Sequence, residues 1–424
     1  MAREMKDSGI EWIGTIPTLW KVVKTKHCYT NHKHIAGNSA DNYERLALTL
    51  NGVIKRPKDD STGLQPEAFN GYQILRTNEL VFKLIDLENI STSRVGYSPY
   101  IGIVSPAYII LHPNKEDESK YGVYYFLSMW QREIFNHMGD DGVRSSLNAT
   151  DLLNTPYLSI PDAEKQKIVA FLNTECSRID SVIHQTRASI EEYKKLKQTV
   201  ITQAVTKGIR PNREMKDSGI EWVGKMPVEW KSINPKALFT QRKDKAFKGE
   251  RQLTASQQHG IVYQDEYMEL TGTKVVTVEK DFDILKHVEV GDFVISMRSF
   301  QGGLEYSTKS GSISSAYVML IPNLNLVFPR FFRWLLKSSV YINALQSTTN
   351  MVRDGQAMRY SNFIQIRLFS VPIKEQSEIA DYLDEKCAIL DKLILEKQEL
   401  LSELESYKKS LIFEYVTGKK EVPA

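Results

Sequence analysis

The feature that most constrains this fold is a verbatim internal repeat. The residues REMKDSGIEW run from Arg3 to Trp12 and return unchanged from Arg213 to Trp222, an offset of 210 positions. Chance does not place ten identical residues at that spacing, so the 424-residue chain contains a duplication. Each copy continues almost unchanged into a glycine, Gly14 or Gly224.

The repeat extends over the whole chain. Later matches keep offsets of 209 to 213, and both halves reach a short apolar stretch that ends in proline. The matched pairs are Tyr97-Ser98 with Tyr306-Ser307, GIVSPAY (102–108) with GSISSAY (311–317), Asp141-Gly142 with Asp354-Gly355, and PYLSIP (156–161) with IRLFSVP (366–372).

After each proline the composition changes to one that favours helix. Residues 162–206 and 373–417 contain no proline and are rich in Glu, Lys, Leu, Ile and Ala. Each would form a helix of about 68 Å, which is long for a globular protein and typical of a coiled coil. A heptad seam supports this: Ile168, Leu172, Cys176, Ile179, Ile183, Thr186, Ile190, Tyr193, Lys197, Val200 and Ala204, with matching residues 211 positions later.

The two seams predict that the helices pair with each other. If a twofold axis relates the halves, the helices run antiparallel, and Thr186 and Lys397 face each other near the crossing. Antiparallel pairing would separate Cys176 and Cys387 by roughly 24 Å, whereas parallel pairing would bring them together. Their place on the seam indicates apolar packing, and redox sensing is the less favoured alternative.

The predicted fold class is α+β, with two pseudo-twofold-related globular domains, which the family resemblance described below makes target recognition domains, separated by two long antiparallel coiled-coil helices. We assign 1–161 and 209–371 to the globular domains, 162–208 to the central helix and 372–424 to the distal one. The globular parts contain short β-rich runs. One amphipathic helix is predicted at 121–136 and its counterpart at 329–345.

Composition narrows the class of protein. No apolar stretch is long enough to span a membrane, and the N-terminus lacks the apolar segment of a signal peptide, so we expect a cytoplasmic protein with no membrane partner. The net charge of +3 permits nucleic-acid binding without requiring it. Three cysteines form neither a disulfide framework nor a metal knuckle.

The sequence contains two partial matches to catalytic motifs, and neither is complete. NTPY (154–157) partly matches a methyltransferase loop and PDAEK (161–165) a nuclease metal site, but the surrounding glycine loop and the Glu-x-Lys spacing are missing. A strand leading into a helix whose first turn carries Asp162 and Glu164 explains both better. The eight histidines show no ligand spacing except His32/His34, which is better explained as an exposed loop pair. We expect no catalytic residues, metal site or cofactor in this chain.

Basic and amide side chains recur in corresponding loops of the two halves. Arg and Lys suit guanine edges and phosphates, and Gln suits adenine. A solvated surface charge remains the commoner explanation for any single residue. The candidate DNA-binding residues are Lys55, Arg56, Arg94, Arg144, Arg298, Gln301, Arg353, Gln356 and Arg359.

Together these segments resemble the specificity subunit of type I restriction-modification systems. The resemblance rests on KDSGIEWIGTIPTLW and KDSGIEWVGKMPVEW, on IPDAEKQKIVAFL and VPIKEQSEIADYL, and on the endings QAVTKG and EYVTGK, which together span the chain. The first ending reads T-K-G where the family usually has T-G-K.

The resemblance implies a non-catalytic subunit that reads a bipartite, asymmetric site on double-stranded DNA. It also implies two methyltransferase subunits, which use S-adenosylmethionine, and motor-nuclease subunits, which use ATP and Mg²⁺. A coiled-coil scaffold, a related methyltransferase-only or type IIB-like specificity subunit, and a fused enzyme are alternatives; the last lacks both motifs and spare length. The half-sites and the gap between them are not predictable from the sequence.

Overall fold

The structure, a computed structural model, describes residues 3–60, 66–85, 87, 94–138, 146–275, 277–278, 282–297, 299–348 and 358–423. The chain divides into two compact units. The first unit is Met1–Arg187 with Glu399–Ala424, and the second is Ala188–Gln398. Each contains one β-rich globular part and portions of both long helices, as the predicted α+β class requires.

The first unit contains twelve strands among its described residues: β1 Met5–Asp7, β2 Thr15–Pro17, β3 Lys21–Lys24, β4 Tyr29–Thr30, β5 Arg45–Thr49, β6 Gly52–Arg56, β7 Gln73–Leu75, β8 Leu80–Phe82, β9 Val95–Tyr97, β10 Gly102–Val104, β11 Ile109–Pro113 and β12 Pro156–Ser159. Its helices are α1 Glu118–Gln131, α2 Ala149–Leu153 and the start of α3 Asp162–Lys207, with 3-10 turns at Thr25–His27, Gly37–Asn42 and Ile134–His137.

The second unit likewise contains twelve strands in the part that is described: β13 Met215–Asp217, β14 Lys225–Pro227, β15 Lys231–Ile233, β16 Phe239–Arg242, β17 Leu253–Ser256, β18 Gly260–Tyr263, β19 Lys286–Val288, β20 Phe293–Ile295, β21 Glu305–Tyr306, β22 Gly311–Ile313, β23 Val318–Pro322 and β24 Leu368–Ser370. Its helices are α4 Pro235–Leu238, α5 Gln264–Thr271, α6 Ser299–Gly302, α7 Pro329–Leu335, α8 Ser339–Ser347, α9 Tyr360–Gln365 and the start of α10 Ile373–Val416, with a 3-10 turn at Phe282–Ile284.

The two globular parts share one sheet topology. In the first unit the strand orders are β6-β5-β10-β7 and β4-β11-β8-β9. In the second unit the order β16-β23-β20-β21 matches the latter, and a parallel bridge from Gln252 to Ser312 joins the β17–β18 and β19–β22 pairs in the former order. The duplication therefore includes the globular parts, although their sequences differ.

A central strand explains how the two sheets share a core. Successive side chains of a strand point to opposite faces. On β8, Leu80 and Phe82 enter one apolar cluster with helix α1, and Val81 enters another with β5 and β6. The β20 residues divide between two clusters in the same alternating way. All three residues of each strand are buried, so both faces of the strand are covered.

Within each unit the two long helices run antiparallel. In the first unit the rings of Phe171 and Tyr415 lie 4.4 Å apart, and Lys408 Nζ lies 2.6 Å from Asp180 Oδ1. In the second unit Lys197 Nζ lies 2.6 Å from Asp391 Oδ2, and Arg210 pairs with Glu378 at 2.9 Å. Partner numbers fall as α3 numbers rise, which confirms the predicted direction.

The polar seam residues have a specific role in this pairing. Lys197 and Lys408 occupy the same heptad position 211 residues apart, and each binds the equivalent aspartate, Asp391 or Asp180. Cys176 and Cys387 are buried, as predicted. The predicted facing of Thr186 and Lys397 and the cysteine separation relate one unit to the other and stay predictions, as do the pseudo-twofold axis and the assigned domain boundaries.

The predicted amphipathic helices need correction. The helix predicted at 121–136 is α1, which begins three residues earlier and ends at Gln131. The helix predicted at 329–345 is two helices, because Ser338 accepts a hydrogen bond from the Tyr341 backbone and starts α8 afresh.

The duplicated opening segment makes the same contacts in both units. In the first unit Trp20 Nε1 donates to Glu164 Oε2 in the first turn of α3, at 2.8 Å, and Arg3 pairs with the same carboxylate. In the second unit Trp230 and Arg213 bind Glu375 of α10 in the same way. The opening segment therefore fixes the start of the long helix of its own half.

The same segment also contacts the other long helix where that helix ends. Gly418 follows α10 with a φ of +69°, and a Cβ built there would lie 2.5 Å from Pro17 Cδ. Gly208 follows α3 with a φ of +75°, and its Cβ would lie 2.9 Å from Arg213 Nη1. A left-handed residue that ends a helix favours glycine, which explains the glycine in both endings.

A buried ionic network anchors the start of α3 in the first unit. Glu118 and Lys165 are 4% and 5% exposed, and Lys165 Nζ donates to Glu118 Oε2 at 2.7 Å. Tyr157 donates to Glu118 Oε1 at 2.7 Å, and Tyr29 donates to the Glu118 carbonyl at 2.9 Å. Both carboxylate oxygens are therefore partnered, which a buried charge requires.

The second unit has a neutral amide at the corresponding place. Gln376 is fully buried; it donates to the carbonyls of Leu326 and Val371 at 2.8 and 2.7 Å. Its Oε1 accepts from the Phe328 backbone at 2.7 Å, just before α7. Apolar residues take the places of the two tyrosines: Phe239 for Tyr29 and Leu368 for Tyr157.

Candidate nucleic-acid interface

Each globular part carries a β-hairpin at the outer edge of the same sheet. The first is β5–β6, and β5 is bridged in parallel to β10 through Arg45 and Ile103. The second is β17–β18, which the parallel bridge from Gln252 to Ser312 places beside β22. The two hairpins are therefore equivalent elements of the duplication.

The hairpin turns are held by a hydroxyl group at their base. Thr49 Oγ1 accepts a hydrogen bond from the Asn51 backbone at 3.1 Å. Ser256 Oγ accepts from the backbones of Gln258 and His259 at 3.3 and 3.2 Å. Because Ser and Thr hydroxyls can support a turn in this way, the turn backbone does not depend on the side chains at the tip.

Near the other end of the first hairpin, a cation lies against an aromatic ring. Lys55 Nζ is 2.6 Å from Glu44 Oε2 and 5.3 Å from the centre of the Tyr100 ring. The hydrogen bond that Lys55 donates to Glu44 raises the pKa of Lys55, so this side chain stays protonated at neutral pH. Its side chain is 53% exposed. The cluster therefore presents an ion pair and an aromatic ring to solvent.

The second hairpin carries the same kind of cluster with the residue types exchanged. Tyr263 stands where Lys55 does, because each pairs with the equivalent leucine of the neighbouring strand. Lys309 stands where Tyr100 does, since its carbonyl accepts from Ser307 as that of Tyr100 accepts from Ser98. Lys309 Nζ lies 4.5 Å from the Tyr263 ring centre.

An arginine extends the second cluster. Arg251 lies with its guanidinium 3.7 Å from the Tyr263 ring centre and binds Asp265 at 2.7 Å. Its side chain is 51% exposed. Charged groups over aromatic rings are common in nucleic-acid interfaces, where the cation meets phosphate and the ring meets sugar or base.

The first cluster continues onto a neighbouring surface. The guanidinium of Arg45 and the ammonium of Lys58 lie 5.6 and 5.7 Å from the Phe69 ring centre. Arg56 binds Asp60 at 2.7 Å on the same strand as Lys55. Arg45 is buried, so this surface presents Lys55, Arg56 and Lys58, each beside a carboxylate, together with two aromatic rings.

Behind each hairpin a buried acid is paired with a cation. In the first unit Glu79, which is 6% exposed, lies 2.6 Å from His112 Nδ1. This hydrogen bond raises the pKa of His112. In the second unit Asp292 occupies the corresponding turn and binds Arg242 Nε at 2.6 Å. Both acids accept from a backbone N–H three residues earlier, so they hold the turn before β8 or β20.

The structure places the predicted DNA-binding residues unevenly. Lys55 and Arg56 lie together in the first cluster. Gln301 is exposed on α6, and Arg359 is exposed immediately before α9. Arg94 is fully buried, so its side chain presents no exposed contact in this structure. The remaining four lie outside the described residues: Arg144, Arg298, Arg353 and Gln356.

Sequence reasoning missed four cluster residues: Tyr100, Arg251, Tyr263 and Lys309. The sequence feature that could have revealed them is the pair of Tyr-Ser dipeptides at an offset of 209, because this offset aligns Tyr100 with Lys309. Lysine and tyrosine exchange places between a hairpin strand and a neighbouring loop, so neither position shows a sequence match.

The described residues contain no group of three or more His, Cys, Asp and Glu side chains placed to hold a metal ion. His32 and His34 are exposed, as predicted. None of the helices in the described part of the chain is long and apolar enough to cross a membrane.

Comparison with known proteins identifies the fold. No protein-family model matches the sequence, and no curated protein matches it. A chain from a solved structure on complex assembly and conformational transition of the type I R-M system has a TM-score of 0.69 at 14% identity, covering 96% of this chain and 99% of that one. The HsdS subunit from Thermoanaerobacter tengcongensis has a TM-score of 0.52 at 14% identity, covering 98% and 100%.

Proposed function

We propose that this chain, which has the fold of type I restriction-modification S subunits, is a sequence-specific DNA-binding specificity subunit. Each globular part would read one half of a bipartite, asymmetric site on double-stranded DNA. The observation that carries the proposal is the pair of equivalent hairpins, which share one framework but present different side chains. Two unlike readers of this kind suit two unlike half-sites.

The chemistry of the two hairpin clusters supports contact with a phosphate backbone. Both combine exposed cations with aromatic rings, although the overall charge of the chain is only +3. Each of these cations is paired with a carboxylate in the free chain, so DNA binding would exchange that carboxylate for a phosphate oxygen. Lys55 and Arg56 would serve the first half-site, and Arg251 and Lys309 the second; Gln301 and Arg359 remain further candidates.

The long helices would act as a spacer between the half-sites. In each unit one aspartate–lysine pair joins α3 to α10 at equivalent positions. These pairs are partly exposed and contribute little stability, but opposite charges at one register disfavour a shift along the helix. A fixed register is what a constant gap between two half-sites needs.

We assign catalysis to partner subunits. Two methyltransferase subunits would use S-adenosylmethionine, and motor-nuclease subunits would use ATP and Mg²⁺, while this chain docks them and needs no cofactor of its own. The structural relative from a study of type I R-M complex assembly supports this general arrangement. A methyltransferase-only or type IIB-like complex would use the same specificity subunit.

The proposal is tested by co-expressing this chain with its partner methyltransferase subunit and mapping methylated adenine across a genome. The expected result is one motif with two unlike half-sites and a fixed unread gap. Replacing residues 1–160 by those of another specificity subunit should change only one half-site. A short continuous motif, or no methylation by a verified complex, contradicts the proposal and favours a coiled-coil scaffold.

A further inference from the structure

We infer that the tips of the two equivalent hairpins determine base specificity, and that the cation–aromatic clusters at the other end position the DNA. The tips are Leu50–Asn51 in the first unit and Gln257–His259 in the second. This inference rests on the proposed function, because it assigns the reading of bases to particular residues of the same surface.

The first argument is that the tips differ while their frames agree. Residues Thr49 and Gly52 pair across the first hairpin, and Ser256 and Gly260 across the second. Between them stand two residues in one case and three in the other. An element that keeps its place and its supporting hydroxyl, but changes both length and chemistry, is suited to discriminate between ligands.

The second argument comes from exposure. Leu50 is 61% exposed, although burying a leucine stabilises a protein by roughly 1.5–3 kcal/mol. Asn51, Gln258 and His259 are also exposed. The His259 ring packs 6.2 Å from that of Tyr267. Since Thr49 and Ser256 already hold the turns, folding gives no reason for an exposed Leu50, Asn51 or Gln258. Contact with a partner molecule does.

The third argument is chemical. A two-stranded hairpin fits the major groove, where amide side chains recognise adenine and apolar side chains contact the methyl group of thymine. Asn51 and Gln258 supply amides, and Leu50 supplies an apolar contact. The cations lie at the far end of each hairpin, four to seven residues along the strands, where they can meet phosphate while the tip enters the groove.

The first tip also borders a groove of about 820 Å³ that is lined in part by Tyr124, His184 and Arg187. A protein partner could fill such a groove, so the test must separate DNA reading from protein docking. We assign the tip to DNA because its equivalent in the second unit has amide chemistry suited to bases.

The experiment grafts Gln257–His259 in place of Leu50–Asn51 and maps adenine methylation by the complex with its methyltransferase partner. The first half-site should change, and the second half-site and the gap should not. The single variant Gln258→Ala should relax the second half-site alone at one or two base pairs, by roughly 5- to 150-fold in preference. Leu324→Gln, at a loop leucine 66% exposed and away from the hairpin, is the matched control.

The outcomes separate the two proposals. A wild-type complex without a bipartite motif contradicts the proposed function itself. A bipartite wild-type motif that survives both the graft and Gln258→Ala unchanged overturns the assignment of the tips. Loss of methyltransferase binding by Leu50→Ala, with an unchanged motif in the remaining complex, overturns it too and makes the first tip a protein contact. If the graft does not assemble, the two single variants decide.

Discussion

The starts of the two long helices solve one packing problem in different ways. Lys165 and Gln376 occupy equivalent positions, and the backbone of each donates to the carbonyl of the proline that ends the preceding stretch. The first unit surrounds Lys165 with Glu118 and two tyrosines, and the second surrounds Gln376 with backbone groups and apolar side chains. The duplicated backbone thus accepts either an ion pair or an amide, provided that every buried polar atom has a partner.

The two hairpins differ in the side chains that they present at the surface. There, lysine and tyrosine exchange places between a hairpin strand and a neighbouring loop, and the tips change completely, while the strand pairing stays the same. Differences inside the units preserve the frame, and differences at the surface alter what the frame presents. The following substitutions test how the equivalent sites of the two units differ.

The largest effect is expected from breaking the ionic network of the first unit. Lys165→Met leaves the buried Glu118 carboxylate without its cation, which costs about 3–5 kcal/mol. Gln376→Met leaves neutral groups unpaired and should cost the second unit only about 1–3 kcal/mol. Native-state hydrogen exchange at the Tyr157 and Leu368 amides measures each unit. Adding Glu118→Gln to Lys165→Met should recover part of the loss; equal effects of the two single changes would contradict the distinction.

The next largest difference is expected between the two glycines that follow the long helices, when each is replaced by alanine. Alanine in a left-handed conformation costs about 1–2 kcal/mol at either position. At Gly418 the new Cβ also meets the rigid ring of Pro17, and such overpacking adds about 1–3 kcal/mol. At Gly208 it meets the end of Arg213, which can move. Thermal unfolding of Gly418→Ala and Gly208→Ala tests this order, and a more harmful Gly208→Ala would show that the opening segments pack differently.

A smaller, pH-dependent difference is expected behind the hairpins. Glu79 raises the pKa of His112 in the folded protein, so this pair stabilises the first unit fully below the ordinary histidine pKa and loses that contribution as pH rises through the raised value. Arg242 keeps its charge, so its pair with Asp292 persists. The Arg76 guanidinium weakens the protonated form of His112, whereas the His32 carbonyl, 2.9 Å from His112 Nε2, favours it. The rings of His32 and His34 also pack against the His112 ring.

Hydrogen exchange of β8 and β20 between pH 6 and 9 should show this contrast. After correction for intrinsic exchange, β8 should lose protection as pH rises and β20 should not. His112→Gln should remove the dependence in β8, and His34→Gln serves as its neighbouring control. Equal behaviour of both strands in the wild-type protein would rule out the histidine as the cause.

Sequence alone predicted the parts of this fold that depend on periodicity. The helix stretches at 162–206 and 373–417 agree closely with Asp162–Lys207 and Ile373–Val416, because a heptad seam is a local pattern. The pairing of Lys197 with Asp391 needed the register of two helices, which no local pattern supplies. Burial of Arg94 and the exchange of Lys55 with Tyr263 depend on long-range strand pairing, so loop composition could not reveal them.

The first unit includes residues 399–424, which follow the second unit in the chain, and this bears on the order of synthesis. Tyr121 donates to the Val416 carbonyl at 2.8 Å, and Gly418 lies against Pro17 and Trp20. A ribosome therefore releases everything the second unit needs, residues 188–398, before it supplies the end of α10 that covers Trp20. The globular part that precedes α3 is therefore completed after the second unit, because its Phe171 ring lacks its Tyr415 contact until the end of α10 has been made.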